Sequence, residues 1–403
     1  MFATTLTASE STLHPSLHLV SPTPPATPPI TPTTPLRPSM APGDPPPAPV
    51  AKVSDVISTF RPTRQFKAPQ GTSYTSVDFD DGGEFLLLSR TDDTIQLYNT
   101  KAGAHAKELK SQKYGSALAR FTHHSTSIIY ASTKIDDGIR YLSMHDNNFI
   151  RYFRGHIGRV TSLSLNPSND TFLSTSMDNT VKLWDVRSSS AQGQLNFESP
   201  WLSTYDPSAT VIAVASPPAQ TVHLYDLRNY DKPPFATFDL NSLEARFESK
   251  GQRQGAGWTG MEFSNNGKLL LISTNGPGHY LLDAFTGDLV AYLQRPSGPD
   301  PAHLAPGDDL PNHEPDSPTP SFVQASACFS PDGNFVVGGN GRANGLSVWD
   351  ATIVSNRPDK ALEPMADLPS QRPSKLVAYN QRYNLLASAE KEVTLWLPDN
   401  DAA

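Results

Sequence analysis

A short segment of one kind recurs seven times along this chain of 403 residues, and this repeat limits the possible folds more than any other feature. Each copy alternates apolar and polar residues, which is the pattern of a half-buried strand. The copies begin at Thr94, Gly138, Thr180, Thr221, Gly278, Gly345 and Glu392. Their starts lie 44, 42, 41, 57, 67 and 47 residues apart. Self-similarity at about 40–45 residues is typical of a unit built from four short strands.

Polar turns separate further strands upstream of each copy. Thr91-Asp92-Asp93 and Met177-Asp178-Asn179 directly precede two of the copies, and Asn265-Asn266-Gly267 follows an earlier strand in its unit. Such compositions are typical of tight hairpin turns. Each unit thus supplies three readable strands and a weaker outer one. The sequence therefore predicts an all-β fold, namely a seven-bladed β-propeller.

Proline usage separates other segments from the blades. Fourteen of the 38 prolines lie in residues 1–50 and eight in residues 296–320. Because proline fixes φ and has no N–H group, such stretches build neither helix nor sheet. We expect a disordered Pro/Ser/Thr-rich tail over residues 1–50, and insertions over 296–320 and the polar stretch 240–256. The propeller is then expected to span residues 51–399.

The last repeat ends at Pro398 and leaves no room for an outer strand of its own. Asp55–Phe60, which precedes the first complete blade, has strand character. We expect a closing strand over about residues 53–60 to complete blade seven. Such a closed ring would leave only short, protected strand edges.

Composition excludes several classes of function. The single cysteine, Cys328, excludes an intramolecular disulfide and a multi-thiolate zinc site. A net charge of −8 argues against broad electrostatic binding to nucleic acid. The sequence has no apolar run of about 18 residues, so no membrane span is expected. It also has no nucleophile elbow and no metal-ligand spacing of histidines, so we predict no catalytic, cofactor or metal site.

One unit carries the signature of the WD-repeat propeller family, with Gly155-His156, then Asp178, then Trp184-Asp185. In that family a His, a Ser or Thr, an Asp and a Trp form a hydrogen-bonded chain. The resemblance assigns these structural roles to His156, Ser174, Asp178 and Trp184. Such a relay gives buried imidazole and indole N–H groups their partners. We interpret it as structural, because a satisfied network leaves no free nucleophile.

Longer stretches resemble one family of WD-repeat proteins in particular. They include Lys113-Tyr114-Gly115, the run from Ile128 to Asn147, the run Leu224–Phe238 and the C-terminal Thr394–Pro398. These stretches resemble the WD-repeat subunit of COMPASS, the SET-domain complex that methylates a lysine of the histone H3 tail. The resemblance covers most of the chain outside the tail and the insertions.

This resemblance implies a non-catalytic, nuclear scaffold. Its implied partners are the SET-domain methyltransferase and other COMPASS subunits, subunits of the cleavage and polyadenylation factor, and the phosphorylated C-terminal repeats of RNA polymerase II. It implies a role in mRNA 3′-end processing and transcription termination. From the charge and the lack of an apolar run, we expect no direct nucleic-acid or membrane binding. Two alternatives stay open. One is a WD-repeat adaptor of another complex, such as a ubiquitin-ligase substrate receptor. The other is a propeller enzyme, which needs carboxylates or metal ligands converging in the central channel.

Five side chains in strand, rim or inter-blade segments are candidates for partner binding. Arginine suits bidentate phosphate capture, and Tyr and Trp suit interface anchoring. The candidates are Lys113, Tyr114, Arg140, Arg159 and Trp258. The alternatives are that Arg140 is a solvated strand residue, and that Tyr114 and Trp258 pack between blades.

Overall fold

The chain folds into a ring of seven antiparallel sheets. A computed structural model describes residues 52–247, 257–296, 326–339, 345–353 and 357–399. Each sheet contains four strands, except one with five. The seven-bladed β-propeller that the repeat predicts is therefore confirmed. The predicted tail, residues 297–320 of the second insertion and residues 248–256 of the first lie outside the described residues.

In six of the seven blades the strands follow one another in chain order from the ring axis outward, and in the seventh the outer strand comes from the first strand of the described residues. The innermost strands are β2 (Tyr74–Phe79), β6 (Ala117–Phe121), β10 (Val160–Leu165), β14 (Leu202–Tyr205), β18 (Trp258–Phe263), β22 (Ala327–Phe329) and β27 (Leu376–Tyr379). The second strands are β3 (Phe85–Arg90), β7 (Ser127–Ala131), β11 (Thr171–Ser176), β15 (Val211–Ser216), β19 (Leu269–Thr274), β23 (Phe335–Gly339) and β28 (Leu386–Ala389). We number the blades one to seven in this order.

The third strands contain the seven repeated segments. They are β4 (Thr94–Asn99), β8 (Ile139–Ser143), β12 (Thr180–Asp185), β16 (Thr221–Asp226), β20 (Gly278–Asp283), β24 (Leu346–Asp350) and β29 (Glu392–Pro398). The outer strands are β5 (Ala104–Lys110), β9 (Asn148–Phe153), β13 (Gly193–Asn196), β17 (Ala236–Asp239), β21 (Leu289–Gln294), β26 (Ala366–Leu368) and β1 (Phe60–Lys67). Every third strand starts at the predicted residue or one residue later, because alternation and turn chemistry are local signals.

Among the described residues, seven hydrophobic clusters hold the ring together, one at each interface between neighbouring blades. The cluster between blades two and three, for example, joins Phe153 with Phe172 and Trp184. The innermost strands also contact one another around the whole ring, from β2 to β27 and back to β2. Burial of apolar surface between blades is therefore shared by every pair of neighbours, and it is the main stabilising contribution here.

The ring closes through the first strand of the described residues, and this corrects the position of the predicted closing strand. β1 pairs antiparallel with β29, with Phe60 opposite Pro398 and Lys67 opposite Glu392. Residues 53–59, which were expected to be strand, form the helix α1 (Val53–Val56) and a 3₁₀ turn (Ile57–Thr59). Val56 and Ile57 are adjacent, yet both enter the cluster between blades six and seven. A helical turn permits this, whereas a strand would point them to opposite faces.

Two further segments cover the outside of blade five. The first insertion begins as the helix α2 (Asn241–Phe247), whose Phe247 ring stacks on Tyr292. The chain between blades six and seven then adds β25 (Ala361–Leu362) parallel to β21, which makes the five-stranded sheet. Within the part of the chain that the structure describes, the remaining helical element is a 3₁₀ turn at Leu227–Asn229. None of the helices within the described ranges has the length and apolar character that crossing a membrane requires.

Candidate functional site

The four residues of the WD signature lie in one buried hydrogen-bonded chain in blade three. The indole Nε1–H of Trp184 donates to Ser174 Oγ at 2.8 Å, and that hydroxyl lies 2.6 Å from His156 Nε2. His156 Nδ1 lies 2.9 Å from Asp178 Oδ2. If Ser174 donates onward to Nε2, His156 is the Nδ1–H tautomer and donates to Asp178. Every polar atom of this chain then has a partner.

The electrostatics of this hydrogen-bonded chain keep the His156 imidazole neutral and the Asp178 carboxylate charged at neutral pH. Burial lowers the pKa of His156, and the neighbouring Asp178 carboxylate opposes this only in part. Burial alone would raise the pKa of Asp178, but hydrogen bonds from Thr180 and His156 outweigh it and lower that pKa to about 2. The carboxylate also accepts the backbone N–H of Ile157 at 3.0 Å. These hydrogen bonds therefore connect the loop before blade three to the turn between β11 and β12.

Ser174, His156 and Asp178 have the order of a hydrolase triad, but their surroundings do not suit catalysis. Ser174 and Trp184 are both 0% exposed. The Ser174 oxygen already accepts the indole proton, and a substrate carbonyl has no route to it. This arrangement supports the structural interpretation of the signature.

Three of the five candidate partner-binding residues meet on the outer part of blade two. The guanidinium carbon of Arg140 lies 3.7 Å from the centre of the Tyr114 ring. The Tyr152 and Phe149 rings lie 5.3 Å and 5.9 Å from it. Lys113 Nζ approaches the Tyr114 ring at 5.1 Å. The Arg140 side chain is 2% exposed, which shows that Arg140 is not the solvated strand residue that one alternative proposed.

Local geometry explains why these side chains meet. Arg140 Nη2 donates to both oxygens of Asp136 at 3.0 Å, which fixes the guanidinium above the turn that precedes β8. The carbonyl of Tyr114 accepts the N–H groups of Thr133 and Lys134, so the loop before blade two is attached to the same turn. Gly115 has φ +73, and a Cβ there would clash with Thr133 Oγ1. Glycine is therefore required beside Tyr114.

The surface above Arg140 is aromatic and cationic. The Phe149 ring packs edge-on against Tyr114 and tilted against Tyr152. Arg154 lies 5.6 Å from the Tyr152 ring. We call Lys113, Tyr114, Asp136, Arg140, Phe149, Tyr152 and Arg154 the Arg140 cluster. A shallow pocket of about 410 Å³ adjoins it, lined by Ile150, Arg151, Tyr152, Arg154 and Ser189. Exposed aromatic and arginine side chains in this arrangement are typical of protein-binding surfaces.

Sequence reasoning named Lys113, Tyr114 and Arg140 but missed Phe149, Tyr152 and Arg154. One signal could have found them. The outer strand reads Asn-Phe-Ile-Arg-Tyr-Phe, with large apolar residues on both faces where an outer strand usually carries charges.

The other two candidates lie elsewhere. Arg159 is half-buried in the loop before β10, where its carbonyl accepts the N–H of Met177. Trp258 is 4% exposed and packs in the cluster between blades four and five. The interpretation of Trp258 as an accessible anchor is therefore corrected to inter-blade packing, because a side chain inside the hydrophobic core is not available to a partner. Arg140 likewise lies beneath the surface and positions the rings above it.

Three charged side chains occupy equivalent positions on innermost strands and line the central channel. Asp78, Arg120 and Glu262 stand opposite Leu87, Ile129 and Leu271 in their blades. Arg120 lies 3.3 Å from Asp78, whose other oxygen accepts the N–H of Phe121. Burial raises the pKa of Glu262 to about 7, against the opposing effects of the Phe329 N–H and Arg120. Sequence spacing did not indicate this group, because its members come from separate blades.

The described residues contain no group of three or more His, Cys, Asp or Glu side chains placed to hold a metal ion. Within the described residues, Asp78 and Glu262 of the channel therefore do not belong to a set of metal ligands.

Comparison with known proteins adds the relatives of this chain. The family description "WD domain, G-beta repeat" matches residues 147–185, the segment that holds the buried His156–Trp184 chain. WD repeat-containing protein 82 of Drosophila melanogaster is 36% identical over 87% of this chain and 98% of its own length. COMPASS component SWD2 of Saccharomyces cerevisiae is 34% identical over 85% of this chain and 95% of its own length.

This chain belongs to the family of WD repeat-containing protein 82 and COMPASS component SWD2. Set1 complex component swd2 of Schizosaccharomyces pombe is also similar, at 38% identity over 70% of this chain and 72% of its own length. The identity extends well beyond the single repeat that matches the family description. The resemblance recognised from the sequence is thus confirmed.

Proposed function

We propose that this chain is a non-catalytic scaffold subunit of a nuclear Set1/COMPASS-type complex that methylates a lysine of histone H3. The observation that carries the proposal is the similarity to SWD2 and swd2, whose names assign them to COMPASS and to the Set1 complex. A scaffold role is supported by the buried position of Ser174 within the triad-like arrangement of Ser174, His156 and Asp178.

The finer part of the proposal concerns partners. The scaffold contacts the SET-domain methyltransferase and other COMPASS subunits. It also joins subunits of the cleavage and polyadenylation factor, and links both activities to RNA polymerase II. Rigid propellers suit this role because they present side chains in fixed positions to several partners. The Arg140 cluster is the surface that we assign to at least one partner, because exposed Tyr and Arg side chains carry much of the binding energy at interfaces.

Affinity purification of the tagged full chain from its source cells tests the assignment. The expected result is co-purification of a SET-domain methyltransferase with other COMPASS subunits, together with cleavage and polyadenylation subunits. Recovery of a cullin and its adaptor instead would establish the ubiquitin-ligase alternative and overturn the proposal. Recovery of the methyltransferase without polyadenylation subunits would contradict only the proposed association with the cleavage and polyadenylation factor.

The partner surface is tested by a double variant, Lys113→Glu with Arg154→Glu. Both side chains are exposed, so the fold should be retained. We expect co-purification of at least one partner to fall about ten-fold relative to the wild type, because charge reversal at an interface costs several kcal/mol. The matched control is Lys232→Glu, an exposed lysine in blade four. Equal losses in both variants would contradict a role for the cluster.

A further inference from the structure

The outer strand of blade two differs from the other outer strands of the propeller. Phe149, Ile150 and Tyr152 of β9 are 37%, 47% and 36% exposed. Among the outer strands that the structure describes, no other carries a large apolar side chain with that much exposure. β5 instead carries Lys and Glu, and β13 and β17 have only four residues each. Short length and several charged residues are the usual protections of a strand edge, whereas β9 has six residues and only one charged residue, Arg151.

Blade five shows how this fold covers such a strand. There the N–H of Tyr292, in the outer strand β21, donates to the carbonyl of Lys360 at 2.9 Å. This bond begins the parallel pairing of β25 along the outer edge. In addition, the Phe247 ring lies on the Tyr292 ring with centres 3.9 Å apart and planes 10° apart. An added strand and a stacked aromatic ring together cover the edge.

The register places Tyr152 of blade two at the position of Tyr292. Tyr292 stands opposite Tyr280, and Tyr152 stands opposite Arg140. In both blades the outer strand carries one extra residue after the next pair of the ladder, Ile150 in β9 and Val290 in β21, so the two edges share the same local geometry. By this equivalence the Tyr152 N–H points away from β8, as the Tyr292 N–H points away from β20. Among the described residues, no segment covers the tyrosine edge of blade two, whereas β25 and Phe247 cover its counterpart in blade five.

Charge indicates what kind of segment fits blade two. Arg151 and Arg154 flank Tyr152, and Lys113 lies across the Tyr114 ring. Asp136 is the acidic member of the cluster and is held by Arg140. The chain as a whole carries a charge of −8, so this edge is a local cationic surface on an acidic protein. An acidic segment is complementary to it.

We propose that the outer edge of blade two binds an extended acidic segment of a partner protein, which adds a strand along β9 and places an aromatic side chain on Tyr152. Alternate side chains of an added strand point to opposite faces. One face of the segment can therefore supply the ring, while the other supplies carboxylates to Arg151, which alternates with Tyr152 along β9. This inference adds a binding mode to the proposed scaffold function. It rests on that function in one respect, because the bound segment belongs to a partner protein.

Short labelled peptides and the purified full chain test this inference. The first probe is Gly-Glu-Ser-Glu-Phe-Glu-Ser-Glu-Gly, the second replaces each Glu by Lys, and the third replaces Phe by Ser. Binding is measured by fluorescence anisotropy, and hydrogen exchange of β9 amides is measured with the first probe bound. We expect the first peptide to bind about ten-fold more tightly than either of the others, and exchange of the Tyr152 amide to slow.

Variants locate the binding. Tyr152→Ala and Arg154→Glu are expected to weaken binding of the acidic peptide about ten-fold. The matched control is Gln194→Ala, because Gln194 of β13 occupies the equivalent register position in blade three, opposite Lys182. Thermal unfolding of each variant shows whether the fold is retained.

Each outcome decides the matter. Equal affinity for the acidic and lysine peptides, no binding up to the solubility limit, or unchanged exchange in β9 would overturn the inference. A loss as large in Gln194→Ala as in Tyr152→Ala would overturn it too. If COMPASS subunits co-purify while the acidic peptide fails to bind, the inference fails and the proposed function stands. If the peptide binds along β9 and no COMPASS subunit co-purifies, the proposed function fails and the inference about β9 stands.

Discussion

At the scale of single residues, the role of each side chain depends on the neighbours that pack around it. Ser174 joins a tryptophan to a histidine only because β11 and β12 are neighbours in one sheet. The WD signature was enough to name these residues, since the motif spans one blade. Phe149 and Tyr152 were missed, because exposure on an outer strand depends on whether another segment covers it. The same tyrosine position is buried in blade five and open in blade two.

Replacing Ser174 by Ala is expected to destabilise the propeller by about 2–4 kcal/mol. The variant leaves the Trp184 N–H and one nitrogen of His156 buried without partners, and each unsatisfied group costs about 1–3 kcal/mol. Urea denaturation followed by tryptophan fluorescence measures the free energy of unfolding. Ser190→Ala, an exposed control in the same blade, should change it by less than about 0.5 kcal/mol. Similar values for the two variants would contradict the structural role of the chain.

Replacing Glu262 by Gln is expected to change how stability depends on pH. The pKa of Glu262 is raised to about 7 in the folded chain from an ordinary value of 4.5. Such a group stabilises the fold fully below pH 4.5, and this contribution is lost as pH rises through 7. The difference in unfolding free energy between Glu262→Gln and the wild type should therefore shift in favour of the variant by about 1–3 kcal/mol as pH rises from 5 to 8.

Denaturation curves at both pH values, with the exposed Glu198→Gln as control, measure this difference. If the gain of Glu262→Gln over the wild type is the same at pH 5 and pH 8, the carboxyl does not titrate in this range.

At the scale of elements, the strands differ in how well the sequence predicts them. The third strands are predicted to within a residue because alternation and turn residues are local. The closing element was placed too early, since Val56 and Ile57 were interpreted as strand residues while both pack into one inter-blade cluster. Nothing local indicated β25 either, because its two residues form a strand only by pairing with β21.

Closure of the ring should depend on Phe60, which is 0% exposed and begins β1. Phe60→Ala is expected to lower the unfolding free energy by about 3–5 kcal/mol, because it leaves a cavity between blades six and seven. Hydrogen exchange should also accelerate in β29, the pairing partner of β1. The exposed Arg61→Ala serves as control. If β29 exchange stays unchanged in Phe60→Ala, the segment contributes less to closure than its burial indicates.

At the scale of the whole molecule, each blade shares its core with both neighbours. One hydrophobic cluster lies at each of the seven interfaces, and the first strand of the described ring pairs with the last. Binding surfaces belong to this scale too, since the Arg140 cluster combines a loop, a third strand and an outer strand.

We expect the ring to unfold as one cooperative unit. Calorimetry, far-UV circular dichroism and tryptophan fluorescence should report one coincident transition, because no blade can separate without exposing two cores. Ser174→Ala in blade three should shift the entire transition. A separate early transition in that variant would show that blades unfold independently.

Removal of residues 1–50 is expected to leave the unfolding temperature within about 2 °C of the full chain. We propose that residues 51–399 form the folding unit, because the removed segment holds 14 prolines and three charged residues and lacks the composition of a packed core. Differential scanning calorimetry of both chains provides the measurement. A fall of more than about 5 °C would place part of the tail within the cooperative unit.

The sequence by itself determined the seven repeats, the strand order within each blade and the family, because alternation, turn residues and motifs are read over short stretches of chain. Only the tertiary structure decided which side chains are accessible. It buried Trp258 and Arg140 and brought Tyr114 to Phe149. Among the described residues, it covered β21 with β25 and Phe247 but left β9 uncovered. Exposure depends on which distant segment packs against a residue, and no local pattern encodes that contact.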